Sequence, residues 1–375
     1  MADAQDQSLV LGKIVPTPVQ SEAKPQILML PASDGAGYPA ATLIAAGLAS
    51  EGWTASGLVS NNLRHSEPTS ELSSIRLALV ERFESFRCLV RRVSSCDIVH
   101  ISCTSTRQVM REALPVLILT RFLGKRSVIH FVTSDIETLL EKRRRIILPL
   151  LKLADSVVVG SRHLQKIVAH AGLNARTLTA PVATKDLTHR VRNRLQPRIL
   201  VVSPLEADAN VQAAIRAFRL VKQKYPRAEL LVIGRGALRR DLEDLVDRSN
   251  IVGVEFRGEV GEAGIGRAME ECDLFLHAPL ADESPTVLIK AFAAGLPVVT
   301  SDADGLLHMV RDRVSALIVP IGDHVGLADA ILELVENEEL CVRLSLQGRV
   351  EAEKYSWSRV RQDWANLYNT MRSTS

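Results

Sequence analysis

The sequence predicts an α/β protein made of two doubly wound domains in tandem. From Gln26 onward, short runs rich in Val, Ile and Leu alternate with longer helical segments, which is typical of a parallel sheet with crossover helices. The alternation stops over 179–197 and then restarts. A chain of 375 residues also exceeds the size at which one core usually stops growing, about 250–300 residues. These observations favour two strand-helix-strand domains joined by a linker.

In the first half, we expect five strands that alternate with five helices. The strands are expected at QILMLP, WTASGLVS, DIVHIS, SVIHFVT and SVVVGS, and the helices near 39–50, 70–94, 107–123, 137–153 and 162–171. Residues 1–24 contain early acids and no long apolar core, so we expect a flexible tail and not a secretory signal. The N-terminal Rossmann-like domain should therefore span residues 25–190.

The second half repeats the pattern and forms a C-terminal Rossmann-like domain over residues 191–355. Its strands are expected at RILVVS, ELLVIG, GVEFRG, DLFLHAP, PVVTS and ALIVP. The best-marked helix runs over 285–294, because Ser284 suits the N-cap, Pro285 the first helical position and Gly295 the C-terminal cap. A last helix follows within residues 356–375.

The composition excludes several classes of protein. Hydrophobic residues make up 46% and charged residues 24%, and no apolar run reaches the roughly 18–20 residues of a membrane span. The chain is thus neither disordered, nor collagen-like, nor membrane-spanning. Five cysteines without a CxxC pair form a poor disulfide or zinc framework, so we expect a reducing, cytoplasmic environment.

The net charge of +3 conceals two halves of opposite sign. Up to Arg190 there are 23 Lys and Arg against 16 Asp and Glu, and after it 23 against 27. The basic half carries a run at Lys142, Arg143, Arg144 and Arg145 beside an apolar stretch. This run either lies peripherally on an anionic membrane at its inner face, or is a solvated helix face whose apolar side is core. With 4% aromatic residues and no recognition motif, nucleic acid is a poor alternative, and we expect no nucleic-acid partner.

Two glycine turns follow strands and are candidates for binding a phosphate. Gly35 and Gly37 follow the first strand, but the second strand ends in LVSNN without the carboxylate that holds a ribose in nicotinamide sites. A tight turn and an anion-binding turn therefore both stay open there. In the second half, Gly234 and Gly236 flank Arg235, which either reaches a phosphate or is a solvated arginine in a turn.

The helix over 285–294 offers a second anion site, because its N-terminal amides follow a strand end. Thr286 and Lys290 are four residues apart and share one face of this otherwise apolar helix. The lysine either reaches the cleft between the domains or extends to solvent.

At this point the second half resembles the family 4 glycosyltransferases. The similarity covers about 198–368 and rests on ILVVSPLEADANVQAAIRAF, LLVIGRGALRRDLEDL, VEFRGEV, CDLFLHAPLADESPTVLIKAFAAGLPVVTSD, ALIVP and YSWSRVRQDWANLY, in the family's order. The first half is similar more loosely, through DGAGYPAATLIAAGLASEGW, CDIVHIS and LLKLADSVVVGSRHLQKI.

The resemblance implies the GT-B fold, with a cleft between the domains and a final helix that crosses back to the first domain. It also implies retaining transfer of a sugar from a nucleotide diphosphate donor to a polysaccharide, glycolipid or other acceptor. Neither a cofactor nor a metal is expected, and the nucleotide sugar is a co-substrate. Asp302-Ala303-Asp304 spells DxD, but it follows a parallel strand and is expected to be an acidic turn.

Residue by residue, the resemblance departs from the family at the donor site. The two cations expected for the diphosphate fall on Pro204 and Ala209. The first carboxylate of the paired-glutamate motif falls on Asp282, the glycine after it on Glu283, and the second carboxylate, the ribose ligand, on Lys290.

Ser284 then lies at the start of the helix over 285–294, which the resemblance assigns to donor binding. Lys290 is a candidate for a relocated cation, and Arg235, Arg239 or Arg162 are candidates to assist it.

The family's histidine of the first domain aligns with Val132 or Thr133, so His130, two residues earlier, is the candidate that would replace it. His100 is another, and for each the alternative is a satisfied structural histidine.

Two hypotheses of function follow from this pattern. In the first, the protein is a glycosyltransferase in which Asp282 and His130 are catalytic. In the second, it is an inactive pseudo-glycosyltransferase that keeps the fold and acts as a partner or regulatory subunit.

Overall fold

The computed structural model describes residues 24–30, 40–57, 86–103, 109–131, 135–185, 187–193, 195–280, 286–303, 306–307 and 309–372. Within them lie two separate parallel sheets, each covered by helices on both faces. The predicted α/β class with two doubly wound units is confirmed.

The first sheet has the strand order β2-β1-β3-β4-β5-β6, and all its pairings are parallel. Its strands are β1 (Ile27–Leu30), β2 (Ala55–Gly57), β3 (Ile98–Cys103), β4 (Arg126–Phe131), β5 (Ser156–Val159) and β6 (Ala175–Thr177). The last of these was absent from our expectations, because ART has only three residues and one of them is apolar.

Helices cover both faces of the first sheet. They are α1 (Ala40–Ser50), a helical segment over 86–94, a π-helical turn (Val109–Ala113) that leads into α2 (Leu114–Phe122), α3 (Asp135–Leu151) and α4 (Arg162–His170). Alternate residues of β3 point to opposite faces, since Val99 and Ile101 pack with α2 and α3 while Ile98 packs with α1. Both faces are therefore buried, as expected of a parallel sheet between helices.

The second sheet has the order β12-β11-β10-β7-β8-β9 and is also parallel. Its strands are β7 (Arg198–Val202), β8 (Glu229–Ile233), β9 (Val254–Gly258), β10 (Leu274–His277), β11 (Val298–Ser301) and β12 (Leu317–Val319). Each strand lies within a stretch that the sequence predicts.

The helices of the second unit are α5 (Val211–Lys224), α6 (Arg239–Arg248), α7 (Glu262–Glu271), α8 (Thr286–Ala293), α9 (His324–Glu336) and α10 (Glu338–Glu353). On β7, Ile199 and Val201 pack against α5 and α9, whereas Leu200 and Val202 pack on the face that α7 and α8 cover. Helices α7 and α8 thus share one face of the sheet, and α5 lies on the other.

The last helix, α11 (Trp357–Arg372), follows the second unit but packs on the first. Its buried residues Trp364, Leu367 and Tyr368 join α1 and the strand residues of the first sheet in one core. At its start, the Trp357 ring lies so close to Gly47 of α1 that a Cβ there would stand 2.2 Å from it. The predicted return of the final helix to the first domain is confirmed.

The linker is held against both units. The Val182 amide donates to the Tyr355 carbonyl at 3.0 Å, and the Trp364 indole donates to the Thr179 carbonyl at 2.9 Å. Among the described residues, no helix combines the length and apolarity that crossing a bilayer requires.

Candidate functional site

The second sheet has a topological switch point between β7 and β10. These two strands are neighbours, but the chain leaves β7 for α5 on one face and β10 for α8 on the other. Ligands of open α/β sheets bind at the carboxyl ends of strands where such connections diverge. The candidate site is therefore the edge formed by the loops after β7, β8, β9 and β10, which we call the donor edge.

Backbone hydrogen bonds join the first two loops of the donor edge. The Ser203 amide donates to Ile233, the Leu205 amide to Arg235, and the Leu238 amide to Leu205, at 2.9–3.0 Å. The Glu206 carboxylate also accepts from the Ala237 amide at 3.0 Å. The loops after β7 and β8 thus form one rigid platform.

The glycines of the turn after β8 make this close approach possible. Gly234 has φ +149°, and a Cβ there would stand 1.9 Å from the Ser203 carbonyl oxygen. A Cβ on Gly236 would stand 2.3 Å from the Leu205 carbonyl oxygen. Backbone proximity alone therefore requires both glycines, and phosphate binding at this turn stays a prediction.

Arg235 projects from this turn into solvent. Its side chain is 76% exposed and its Nε lies 3.0 Å from the Glu259 carboxylate, which follows β9. This is the solvated arrangement that the sequence left open as the alternative. Because an exposed pair contributes at most about 1 kcal/mol, the guanidinium is free to exchange Glu259 for a ligand phosphate at small cost.

The two positions expected to carry cations hold none. Pro204 is exposed on the platform, and Ala209 is buried in the core that α5 covers. A lysine at Ala209 would have to place its charge in that core or displace the loop, so the alanine fits its surroundings.

Lys290 forms a buried ion pair that the sequence did not predict. Its Nζ lies 2.7 Å from Oε1 and 2.6 Å from Oε2 of Glu262, the first residue of α7. The lysine side chain is 5% exposed and the glutamate side chain 24%. Lys290 therefore neither reaches the cleft as a free cation nor extends to solvent, and its charge is already balanced.

Several predicted donor residues lie outside the described part of the chain. These are Gly35 and Gly37 of the first glycine turn, and Asp282, Glu283 and Ser284 before α8. Thr286 begins α8, in agreement with the expected start of this helix near 285. The catalytic role of Asp282 and the donor roles of the others remain predictions.

His130 lies in the interior of the first unit. It is fully buried on β4, its ring centroid is 5.2 Å from that of Trp364 on α11, and neither ring nitrogen has a hydrogen-bond partner. Burial lowers the pKa of His130 to about 4. The ring has no access to solvent in this arrangement, so the packing disfavours the catalytic role that we hypothesised for it.

His100, the other histidine candidate, is buried beside it. Its ring centroid is 5.4 Å from that of His130, and its Nδ1 lies 2.8 Å from the Tyr368 hydroxyl on α11. Burial and the neighbouring His130 hold the pKa of His100 well below its usual range. Both histidine rings pack against α11, which agrees with the alternative that they are structural residues.

The basic run of the first half lies on α3, where Lys142, Arg144 and Arg145 are exposed. Arg144 donates to the His170 and Ala171 carbonyls at 3.4 and 3.3 Å. The apolar residues around the run, including Leu139, Leu140, Ile147 and Leu151, belong to the core. A membrane contact here would therefore depend on the charges alone.

Comparison with known proteins gives this site a chemical context. Residues 185–351 match the family model described as Glycosyl transferases group 1. The phosphatidyl-myo-inositol mannosyltransferase of Mycobacterium leprae is 34% identical over 155 residues, which cover 40% of each chain. The amylovoran biosynthesis glycosyltransferase AmsK of Erwinia amylovora is 33% identical over 168 residues, 42% of this chain and 40% of its own. The chain thus spans about two fifths of the length of these relatives.

Solved structures agree with the whole architecture. HepE of Anabaena, determined in complex with UDP and glucose, aligns with a TM-score of 0.68 at 17% identity over 92% of this chain and 100% of its own. Sucrose-phosphate synthase of Thermosynechococcus elongatus aligns with a TM-score of 0.70 at 17% identity, over 93% and 100%. The GT-B fold is confirmed, and the matched family region contains the donor edge.

Proposed function

We propose that the protein is a family-4-like glycosyltransferase that transfers a sugar, with retention, from a nucleotide diphosphate donor. The observation that carries this proposal is the family match over residues 185–351, because that stretch supplies every loop of the donor edge. The structure aligned over 92% of the chain holds UDP, which is the class of donor product proposed here.

In such a transfer the nucleoside diphosphate leaves with developing negative charge, which the protein must stabilise. Helix N-termini and cations supply this stabilisation in a cleft that excludes water. In this proposal the first-turn amides of α8, which begins at Thr286 after the end of β10, donate hydrogen bonds to phosphate oxygens. Asp282 and Ser284 immediately precede them in the chain and complete the proposed donor site.

Arg235 is the cation that we assign to the diphosphate. Its guanidinium projects from the platform and pairs with the exposed carboxylate of Glu259. Lys290 is less suitable, because removing it from Glu262 would leave a mostly buried charge without a partner. One arginine would thus perform part of the role of the two cations missing at Pro204 and Ala209.

The acceptor belongs to a polysaccharide or glycolipid in this proposal. Two relatives named phosphatidyl-myo-inositol mannosyltransferase and amylovoran biosynthesis glycosyltransferase support these two kinds of acceptor. A cytoplasmic location, with peripheral contact between Lys142, Arg144 and Arg145 and an anionic membrane surface, is part of the same proposal.

Calorimetric titration of the purified chain with UDP, GDP and their sugars tests the proposal. We expect at least one nucleotide to bind with a Kd below about 1 mM and to raise the melting temperature further with each increase in its concentration. Arg235→Gln should weaken that binding about tenfold, the usual loss for a charge-assisted hydrogen bond. Arg248→Gln is the matched control, since Arg248 is also 76% exposed and paired with a carboxylate, but lies at the end of α6.

Sugar transfer distinguishes the enzyme from the inactive alternative. Mass spectrometry of a reaction with the bound nucleotide sugar should detect free nucleoside diphosphate and the glycosylated acceptor, or slow hydrolysis without one. Nucleotide binding without turnover on any acceptor of the two classes would favour the pseudo-glycosyltransferase. Absence of binding by every nucleotide would refute both the donor and the proposed activity.

A further inference from the structure

We infer that Glu262, held in place by Lys290, is the carboxylate that recognises the ribose hydroxyls of the donor and so selects ribonucleotides. The inference rests on the proposed function and deepens it. It starts from the ion pair between α7 and α8, two helices that cover the same face of the second sheet.

The position of Glu262 places it at the donor edge. It is the first residue of α7, which begins four residues after β9 ends at Gly258. Its neighbour Glu259 reaches Arg235 of the turn after β8. Since α8 starts after the end of β10, both helices present their N-termini at this edge, and the ion pair joins the first turn of α7 to the second turn of α8.

The geometry of the pair orients the carboxylate and leaves part of it free. Both oxygens accept from the one Lys290 ammonium, at 2.7 and 2.6 Å. A carboxylate offers about four acceptor positions, so two remain after the lysine takes its share. With the lysine buried and the glutamate partly exposed, one side of the carboxylate is fixed and the other is open to a ligand.

The chemistry of a carboxylate selects the part of a nucleotide that can bind there. It accepts hydrogen bonds and repels phosphate, so its ligand must be a donor group. In a nucleoside diphosphate sugar, adjacent ribose hydroxyls match two free acceptor positions. Acidic residues at the carboxyl edge of doubly wound sheets hold ribose hydroxyls in this way. The lysine then has a positioning role, because it fixes the carboxylate and balances its charge.

Binding of deoxynucleotides tests the inference by calorimetry. The probes are UDP, GDP and the 2′-deoxy and 3′-deoxy counterpart of each. The wild type should bind the ribonucleotide about 10-fold more tightly than at least one deoxy counterpart. In Glu262→Gln the affinity for the ribonucleotide should fall by a similar factor, while the deoxynucleotide binds as it does to the wild type.

Two further variants keep the test independent of folding. Glu262→Gln leaves Lys290 without its counter-ion, so Glu262→Gln/Lys290→Met removes both charges and should show the same loss of discrimination. Glu271→Gln is the control, because Glu271 ends the same helix and is paired with Arg257, away from the donor edge. Melting curves identify any variant that has lost its fold.

The outcomes separate this inference from the proposed function. A wild type that binds UDP or GDP but does not distinguish the deoxy forms overturns the role of Glu262 and leaves the glycosyltransferase intact. Discrimination that persists unchanged in both Glu262 variants also overturns it and reduces the pair to a structural one. A wild type that binds no nucleotide overturns the proposed function and this inference together.

Discussion

At the turn after β8, the platform of the donor edge forms because Gly234 and Gly236 have no Cβ atom. Gly234 has a positive φ, and the Ser203 carbonyl oxygen would lie 1.9 Å from a Cβ at this position. Gly236 has the steric constraint, from the Leu205 carbonyl oxygen, but no positive φ. The two glycines therefore differ in what they tolerate, and Gly234 is the stricter position.

We expect Gly234→Ala to lower the free energy of unfolding by about 2–4 kcal/mol, since it adds backbone strain to a steric clash. Urea denaturation followed by circular dichroism measures the change. Gly160→Ala is the control, because Gly160 likewise follows a strand end, of β5, but has open space at its Cβ and no positive φ. Equal effects of the two substitutions would show that the contact with Ser203 is not what constrains Gly234.

Arg192 is a second single residue on which the packing depends, and it lies at the C-terminal ends of α7 and α8. Its guanidinium is 3% exposed and donates to the carbonyls of Arg190, Ala294, Met269 and Cys272. It thereby ties the linker to the last turns of the two helices that carry Glu262 and Lys290. Such carbonyls have no partner within their own helix.

Replacing this guanidinium should be among the costliest single changes in the second unit. We expect Arg192→Met to lower the free energy of unfolding by about 3–5 kcal/mol, because several buried carbonyls lose their donor. Arg190→Met should cost less than about 1 kcal/mol, since that side chain is 56% exposed in a surface ion pair. Thermal and urea melts of both variants give the comparison, and a loss for Arg192→Met as small as the control would contradict this account.

Among the elements, α11 determines how the first sheet is closed. The helix covers His100 and His130 with Trp364 and Tyr368, so two titratable rings lie in an apolar core. A histidine whose pKa is lowered by folding is neutral in the folded state and takes up a proton only on unfolding. The free energy of unfolding is then highest above the unfolded pKa of about 6.5 and falls as the pH drops toward the folded value.

For His130, with a folded pKa of about 4, this window runs from about pH 6.5 to 4. A difference of this size corresponds to about 3 kcal/mol of stability lost across the window. His130→Leu should remove that share and flatten the pH dependence of urea unfolding. His170→Leu should not, because His170 is exposed at the end of α4. If His130→Leu left the slope as steep as in the wild type, the ring would have to be charged or hydrated in the fold.

The elements also show what a sequence can and cannot predict. The alternation of strands and helices follows from local apolar patterns, so β7 to β12 were predicted, whereas β6, with one apolar residue in three, produces no such pattern. The helix at Thr286 was predicted from its cap residues. The partner of Lys290 was not, because Glu262 stands 28 positions away on another helix and no local spacing connects them. The burial of His130 was not predicted for a similar reason, since only the tertiary fold places α11 over it.

On the scale of the whole molecule, charge is distributed unevenly between the two units. The sequence up to Arg190 carries 23 basic against 16 acidic residues, and the remainder 23 against 27. Exposed basic residues on α3 belong to the first unit, and the donor edge to the second. An anionic surface would therefore attract the molecule through the first unit and leave the donor edge free.

Sedimentation with vesicles that contain anionic phospholipid tests this orientation. We expect the wild type to bind at low salt and to be released at high salt, because surface charges are screened within about 10 Å at 0.1 M. Lys142→Glu/Arg145→Glu should weaken binding at least tenfold, since each basic residue near such a surface contributes about 1 kcal/mol. Arg216→Glu/Arg219→Glu changes the net charge equally but on α5 of the second unit, where both arginines are exposed, and should preserve most of the binding. Equal loss in the two variants would mean that net charge alone governs the contact and that the molecule has no preferred face toward the membrane.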